Sequence, residues 1–127
     1  MNRYPCPCCG YLVFDEGPGS YDICPICFWE DDAVQLEFAT NGGGANKVSL
    51  VGGQLNFASF GACEKRIAAH VRLPSEADQR DATWRPIDLK RDHFEDWKNR
   101  DAPRAPQHDE KLYYWRPAFW RNSTRGA

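Results

Sequence analysis

The 127-residue sequence predicts a small α+β fold: a short hairpin, two short helices and an extended aromatic C-terminal arm. Three observations lead there. Four of the six cysteines fall into two pairs of equal spacing, Cys6 with Cys9 and Cys24 with Cys27. Short apolar runs broken by glycine and proline separate and follow these pairs. Near the end, Leu112-Tyr113-Tyr114-Trp115-Arg116-Pro117-Ala118-Phe119-Trp120-Arg121 places five aromatic residues within ten. The chain divides into residues 1–73, a cysteine-rich module with two helices, and residues 74–127, a polar linker, a short helix and the aromatic arm.

The cysteine pairs carry the strongest signal. In Cys6-Pro7-Cys8-Cys9-Gly10 and Cys24-Pro25-Ile26-Cys27, two residues separate the paired thiols, so both can face one ion from a tight turn. Gly10 suits the positive φ that such a turn often needs, and Pro7 and Pro25 lower the entropy lost on ordering it. Four thiolates meet the tetrahedral preference of Zn²⁺ and leave no open position, so Cys6, Cys9, Cys24 and Cys27 are expected to hold a structural Zn²⁺ in a zinc ribbon. A ribbon of about 40 residues buries too little apolar surface to fold unaided, and the ion supplies the difference. The knuckles also look like a shortened rubredoxin, and ligand type alone does not separate zinc from iron. Cys8, adjacent to a ligand, reads as a spectator thiol, and Cys63 as a small core residue.

Between the pairs, Tyr11-Leu12-Val13-Phe14 and Ser20-Tyr21-Asp22-Ile23 flank the turn Asp15-Glu16-Gly17-Pro18-Gly19, which reads as a hairpin joining the two knuckles. Asn41-Gly42-Gly43-Gly44 reads as a loop. Ser49 is the expected N-cap of a first helix with Val51, Leu55 and Ala58 on one face, weakened at Gly52 and Gly53 and broken at Gly61. A second helix over about Ala62–Val71 would align Cys63, Ile67 and Val71, ending before Pro74. In the arm, Asp88 is expected to cap a helix through about Asn99, Pro103 and Pro106 to interrupt, and the aromatic run to form a late strand.

Net charge is −2 but unevenly placed: residues 1–48 carry −5 and residues 49–127 carry +3. An acidic ribbon is a poor match for nucleic acid. No basic-then-apolar leader and no apolar run near 20 residues occurs, so a cytoplasmic protein with reduced thiols and no membrane span is expected. His70, His93 and His108 lack partners at metal or catalytic spacing, and Gly42-Gly43-Gly44 lacks the lysine of a phosphate loop. No catalytic residue is expected, because a closed four-thiolate site offers no Lewis-acid position.

The stretches Tyr4-Pro5-Cys6-Pro7-Cys8-Cys9-Gly10-Tyr11 and Tyr21-Asp22-Ile23-Cys24-Pro25-Ile26-Cys27-Phe28-Trp29-Glu30-Asp31-Asp32 resemble the bacterial cysteine-rich CPCC family. So do Gly43-Gly44-Ala45-Asn46, Val48-Ser49-Leu50, Asn56-Phe57 and Phe60-Gly61-Ala62-Cys63-Glu64, and, more loosely, Asp81-Ala82-Thr83-Trp84-Arg85-Pro86-Ile87. Val51-Gly52-Gly53-Gln54 departs from the stronger helix formers expected after the serine cap. The resemblance implies a small bacterial zinc-ribbon-like protein and no reaction; members of the family look like immunity or accessory proteins beside toxins. Two surfaces are candidates for a protein partner: the acidic, aromatic Trp29, Glu30, Asp31 and Asp32, and the aromatic Tyr113, Tyr114, Trp115 and Trp120, the last run being expected to dock either on its own domain or on a partner. The expectation is a non-enzymatic protein-binding module, in its most specific form an immunity protein neutralising a basic bacterial toxin. The alternatives are a nucleic-acid-binding zinc ribbon using Arg116 and Arg121, and a rubredoxin-like iron electron-transfer protein.

Overall fold

The computed structural model describes residues 3–101 and 108–121; the expected breaks at Pro103 and Pro106 lie outside them. Among the described residues the order is β1 (Tyr4–Pro5), β2 (Leu12–Phe14), α1 (Ala33–Glu37), α2 (Leu50–Phe60), then single-turn and two-turn 3-10 helices at Lys65–His70, Trp97–Asn99 and Glu110–Leu112. A two-strand antiparallel hairpin, a few short helices and a four-cysteine cluster make up the α+β architecture, and no described helix is long and apolar enough to cross a membrane.

The hairpin is not the one the apolar runs suggested. β1 pairs with β2, Tyr4 opposite Phe14 and Pro5 opposite Leu12, so the first knuckle is itself the hairpin turn. Ser20–Ile23 forms no strand with β2; Ile23 instead makes a bridge to Glu30 across the second knuckle. The reason is local: β2 is paired with β1, Leu12 N donates to Gln79 O, and Tyr21 N and Asp22 O are bonded to the backbone of Asp31, so groups that a joining hairpin would have needed are already used.

The serine cap and glycine stop behave as expected. The Ser49 hydroxyl accepts from Gly52 N at 3.0 Å, and α2 ends at Gly61 in the left-handed region, φ 82°. The buried face is the reverse of the expected one: Leu50, Gly53 and Gln54 point inward while Leu55 is 66% exposed. A Cβ at Gly53 would sit 3.2 Å from Cys8 Sγ and 3.3 Å from the Trp29 ring, so this glycine lets α2 lie against the knuckle layer. In place of the second helix there is only the 3-10 helix Lys65–His70, because Cys63 N is spent on Cys27 O and Cys63 O accepts from the Asn56 side chain. α1 was not anticipated at all. Asp32 caps it, its carboxylate accepting from Val34 N at 2.8 Å and Gln35 N at 3.4 Å. Behind α1 the glycine loop is pinned by side chains: Gln35 Nε2 donates to the carbonyls of Asn41, Asn46 and Val48, and Asn46 bonds both N and O of Glu30.

The arm is neither extended nor a strand. Leu112, Tyr113, Tyr114 and Trp115 are all buried, a run that period-two alternation cannot produce. The short 3-10 helix and the turns after it allow every one of them to face inward. Tyr113 stacks on Trp115 at 4.7 Å, and Tyr114 takes a hydrogen bond from Gln54 Nε2 and gives one to Arg85 O. The helix expected after Asp88 is reduced to a turn and the 3-10 helix Trp97–Asn99, because Asp92 turns back to accept from Asp88 N and from both terminal nitrogens of Arg85. One hydrophobic cluster holds Cys6, Trp29 and Leu50 together with Leu112, Trp115 and Phe119, so residues on both sides of position 73 share a core.

Candidate metal centre

The two knuckles repeat each other almost bond for bond. In the first, Gly10 N donates to Cys6 O and Cys6 N to Tyr11 O; in the second, Phe28 N donates to Cys24 O and Cys24 N to Trp29 O, all between 2.7 and 2.9 Å. The residue after each second cysteine is left-handed, Gly10 at φ 83° and Phe28 at φ 71°. Each ring thus turns its two thiols to one side, and the rings face each other.

Their four sulfurs lie within 4.8 Å of one another, all fully buried. Cys6 and Cys27 Sγ are 3.6 Å apart, and Cys9 and Cys24 Sγ 3.7 Å. A disulfide needs about 2.05 Å. A tetrahedral ion with metal–sulfur bonds near 2.3 Å needs sulfur–sulfur edges of about 3.8 Å, which those two distances approach, and none of the six sulfur–sulfur distances exceeds 4.8 Å. The electrostatics agree. Burial pushes the Cys6 and Cys27 thiols well up, while hydrogen bonds from Cys27, Cys6 and Cys9 hold Cys24 far down. Four thiolates packed into so buried a pocket require a cation among them. Cys6, Cys9, Cys24 and Cys27 are positioned to bind a metal ion.

Each knuckle is strapped from outside. Around the first, Gln54 Nε2 and Trp84 Nε1 donate to Pro7 O, Arg80 Nε to Cys9 O and Asp81 N to Gly10 O. Around the second, Arg72 N donates to Pro25 O and Cys63 N to Cys27 O. Gln54, Arg80 and Trp84 are site residues the sequence reading missed; only Trp84 falls within the loosely similar stretch Asp81–Ile87. Cys8 and Cys63 lie outside the four-sulfur cluster. Burial raises both thiols, Cys63 to about 12, so neither is a thiolate at neutral pH.

The candidate partner residues are mostly interior. Trp29 is fully buried, Asp31 and Asp32 nearly so, and Tyr113, Tyr114 and Trp115 belong to the core. These six are withdrawn as a docking surface, because a partner cannot reach them in this fold. Glu30 and Trp120 are half-buried. Arg116 pairs with Asp81 and Glu110, and Arg121 with Glu95, so these two candidate arginines are engaged within the described chain.

Asp31 supports a loop. Its carboxylate accepts from Ser20 N at 3.1 Å and Ser20 Oγ at 2.7 Å, while its backbone bonds Tyr21 and Asp22. These bonds hold Tyr21 left-handed, φ 61°, with Tyr21 and Ile23 about half exposed, at 52% and 48%. Burial raises Asp31 to about 6, above the roughly 3.9 of an unfolded aspartate. Between those values the folded state holds the extra proton, so stability falls as pH rises toward 6 and stays lowered above it. Asp31→Asn keeps an acceptor for Ser20 and has no charge to bury. It is expected to be more stable than wild type by on the order of 1–3 kcal/mol at pH 7.5, with the gain shrinking toward pH 5.5. Denaturant midpoints of the metal-loaded proteins at the two pH values measure this, and a pH-independent gain would show that Asp31 is not the titrating group.

Two facing knuckles with four convergent thiols define a small four-cysteine metal-site protein. The chain matches the Cysteine-rich CPCC family over residues 4–78 and belongs to it. The loosely similar stretch 81–87 lies outside the matched residues. No curated protein matches the chain.

Proposed function

We propose that the ion is Zn²⁺ in a structural role and that the chain is a non-enzymatic module that binds another protein. The observation that carries this reading is closure: the four sulfurs are fully buried within 4.8 Å of one another and both knuckles are strapped from outside, which supports a four-coordinate ion with no open position. Among the exposed apolar side chains, Tyr21 and Ile23 stand out because they flank an exposed acid, Asp22, on one loop, with Asp15 and Glu16 exposed just before it. One aromatic and one aliphatic anchor with an acidic rim suit a basic protein partner, and neutralisation of a basic toxin is the specific form we favour.

The test is affinity capture from the source cells with wild type and with Tyr21→Ala/Ile23→Ala, both metal-loaded. Wild type is expected to retain a basic protein that the double variant binds at least tenfold more weakly, with retention falling as salt rises. Equal retention by both proteins, or a partner that is itself acidic, contradicts the reading. If the partner is a toxin, co-expression of this chain restores growth of cells that make it.

A further inference from the structure

Outside the metal centre, α2 and the strap residues 80–87 enclose a groove of 370 Å³ lined by Val51, Leu55, Phe57, Ala58, Trp84 and Ile87 among others, with Gln54 and Arg80 at its polar edge. That volume falls within the range of small-molecule sites, roughly 300–1,000 Å³. Its walls are apolar, and nearly every polar group beside them is already used. Gln54 spends its amide on Pro7 O, Tyr114 Oη and Ile87 N. The Trp84 indole donates to Pro7 O.

Arg80 is different. Nε donates to Cys9 O at 2.8 Å, and the guanidinium lies over two rings, 4.8 Å from the Tyr11 centroid and 4.9 Å from that of Trp84. Three contacts hold it in one orientation. Yet its terminal nitrogens have no acceptor among the described residues, while Arg72, Arg85 and Arg116 each have a carboxylate. The neighbouring Asp81 does not serve it; that carboxylate takes bonds from Thr83, Trp115 and Arg116. Arg80 is exposed, and its pre-oriented fork of donors at the edge of an open, mostly apolar groove matches a planar anion attached to an apolar body.

The geometry points to a binding site for a small apolar carboxylate, its hydrocarbon part between α2 and Trp84 and its carboxylate on the outer edge of the Arg80 guanidinium. The site is on the first knuckle's strap and independent of the Tyr21 loop, so it stands or falls apart from the protein-binding reading.

The probes are 4-phenylbutyrate and its uncharged analogue 4-phenylbutan-1-ol, titrated into the metal-loaded protein and followed by NMR shifts of the Val51, Leu55, Ala58 and Ile87 methyls and the Trp84 indole. The acid is expected to saturate those signals at least fivefold more tightly than the alcohol, with the preference shrinking as salt is added. Arg80→Gln is expected to bring the acid down to the alcohol. Ala58→Trp, a change at an exposed position of α2 that fills the groove, is expected to abolish both. Equal binding of acid and alcohol to wild type, shifts outside the groove, or unaltered acid binding to Ala58→Trp each overturns the assignment, even if Arg80→Gln fails to fold.

Discussion

Removing the ion is expected to unfold the whole described chain rather than the cysteine module alone. Structural zinc in small modules contributes apparent free energies of about 10–16 kcal/mol, as large as the 5–15 kcal/mol of net stability a typical domain has. The loss spreads because the halves share one core: Trp84 and Gln54 bond Pro7 of the first knuckle, and Tyr114 bonds Gln54. A strong chelator at neutral pH should therefore abolish the near-ultraviolet tryptophan signal and the far-ultraviolet signal in one transition, and Cys27→Ser should do the same without chelator. Cys8→Ala and Cys63→Ala, which remove buried thiols that are not ligands, should cost only about 1–3 kcal/mol and leave metal binding intact. A chelated protein that keeps its aromatic core ordered would show that the arm folds independently.

The second large effect is expected at Gly10. It is left-handed, φ 83°, and an added Cβ would meet the Trp84 ring at 2.5 Å. Gly10→Ala adds backbone strain of about 1–2 kcal/mol and displaces an indole that straps the knuckle, a packing cost of about 1–3 kcal/mol. A total near 3 kcal/mol should appear as a shifted denaturant midpoint. The equivalent position of the other knuckle supplies the control. Phe28 is also left-handed, φ 71°, and half-buried. Phe28→Gly relieves strain while losing ring contact with His70, so its net effect should be within about 1 kcal/mol. Equal effects at the two sites would contradict the asymmetry of the straps.

The four cysteines that converge were legible because their spacing is chemistry: two residues between thiols is what a knuckle needs, and Cys6, Cys9, Cys24 and Cys27 were read from it. Ser49 and Gly61 were legible for a similar reason, since a side-chain cap and a left-handed stop act within one turn. The hairpin was misplaced because strands of two and three residues are too short to show alternation, and the bonds that set them belong to the knuckle rings. Asp31 and Asp32 were read as surface charge, although one caps a five-residue helix and the other anchors a loop. A run of acids looks the same in sequence whether each is solvated or spent on backbone N–H groups. The aromatic run docks on its own domain, one of the two outcomes expected of it, but as a 3-10 helix and turns rather than a strand, and composition does not say which way a ring faces. Gly53, discounted as a weak helix residue, is the contact that seats α2 on Trp29.

X-ray absorption at the metal edge, combined with elemental analysis of the protein purified without added metal, probes the central claim most directly. The expected result is one zinc per chain with four sulfur neighbours at about 2.3 Å and no lighter atom in the first shell. A substoichiometric metal, or a first shell containing oxygen or nitrogen, would contradict the closed four-thiolate centre.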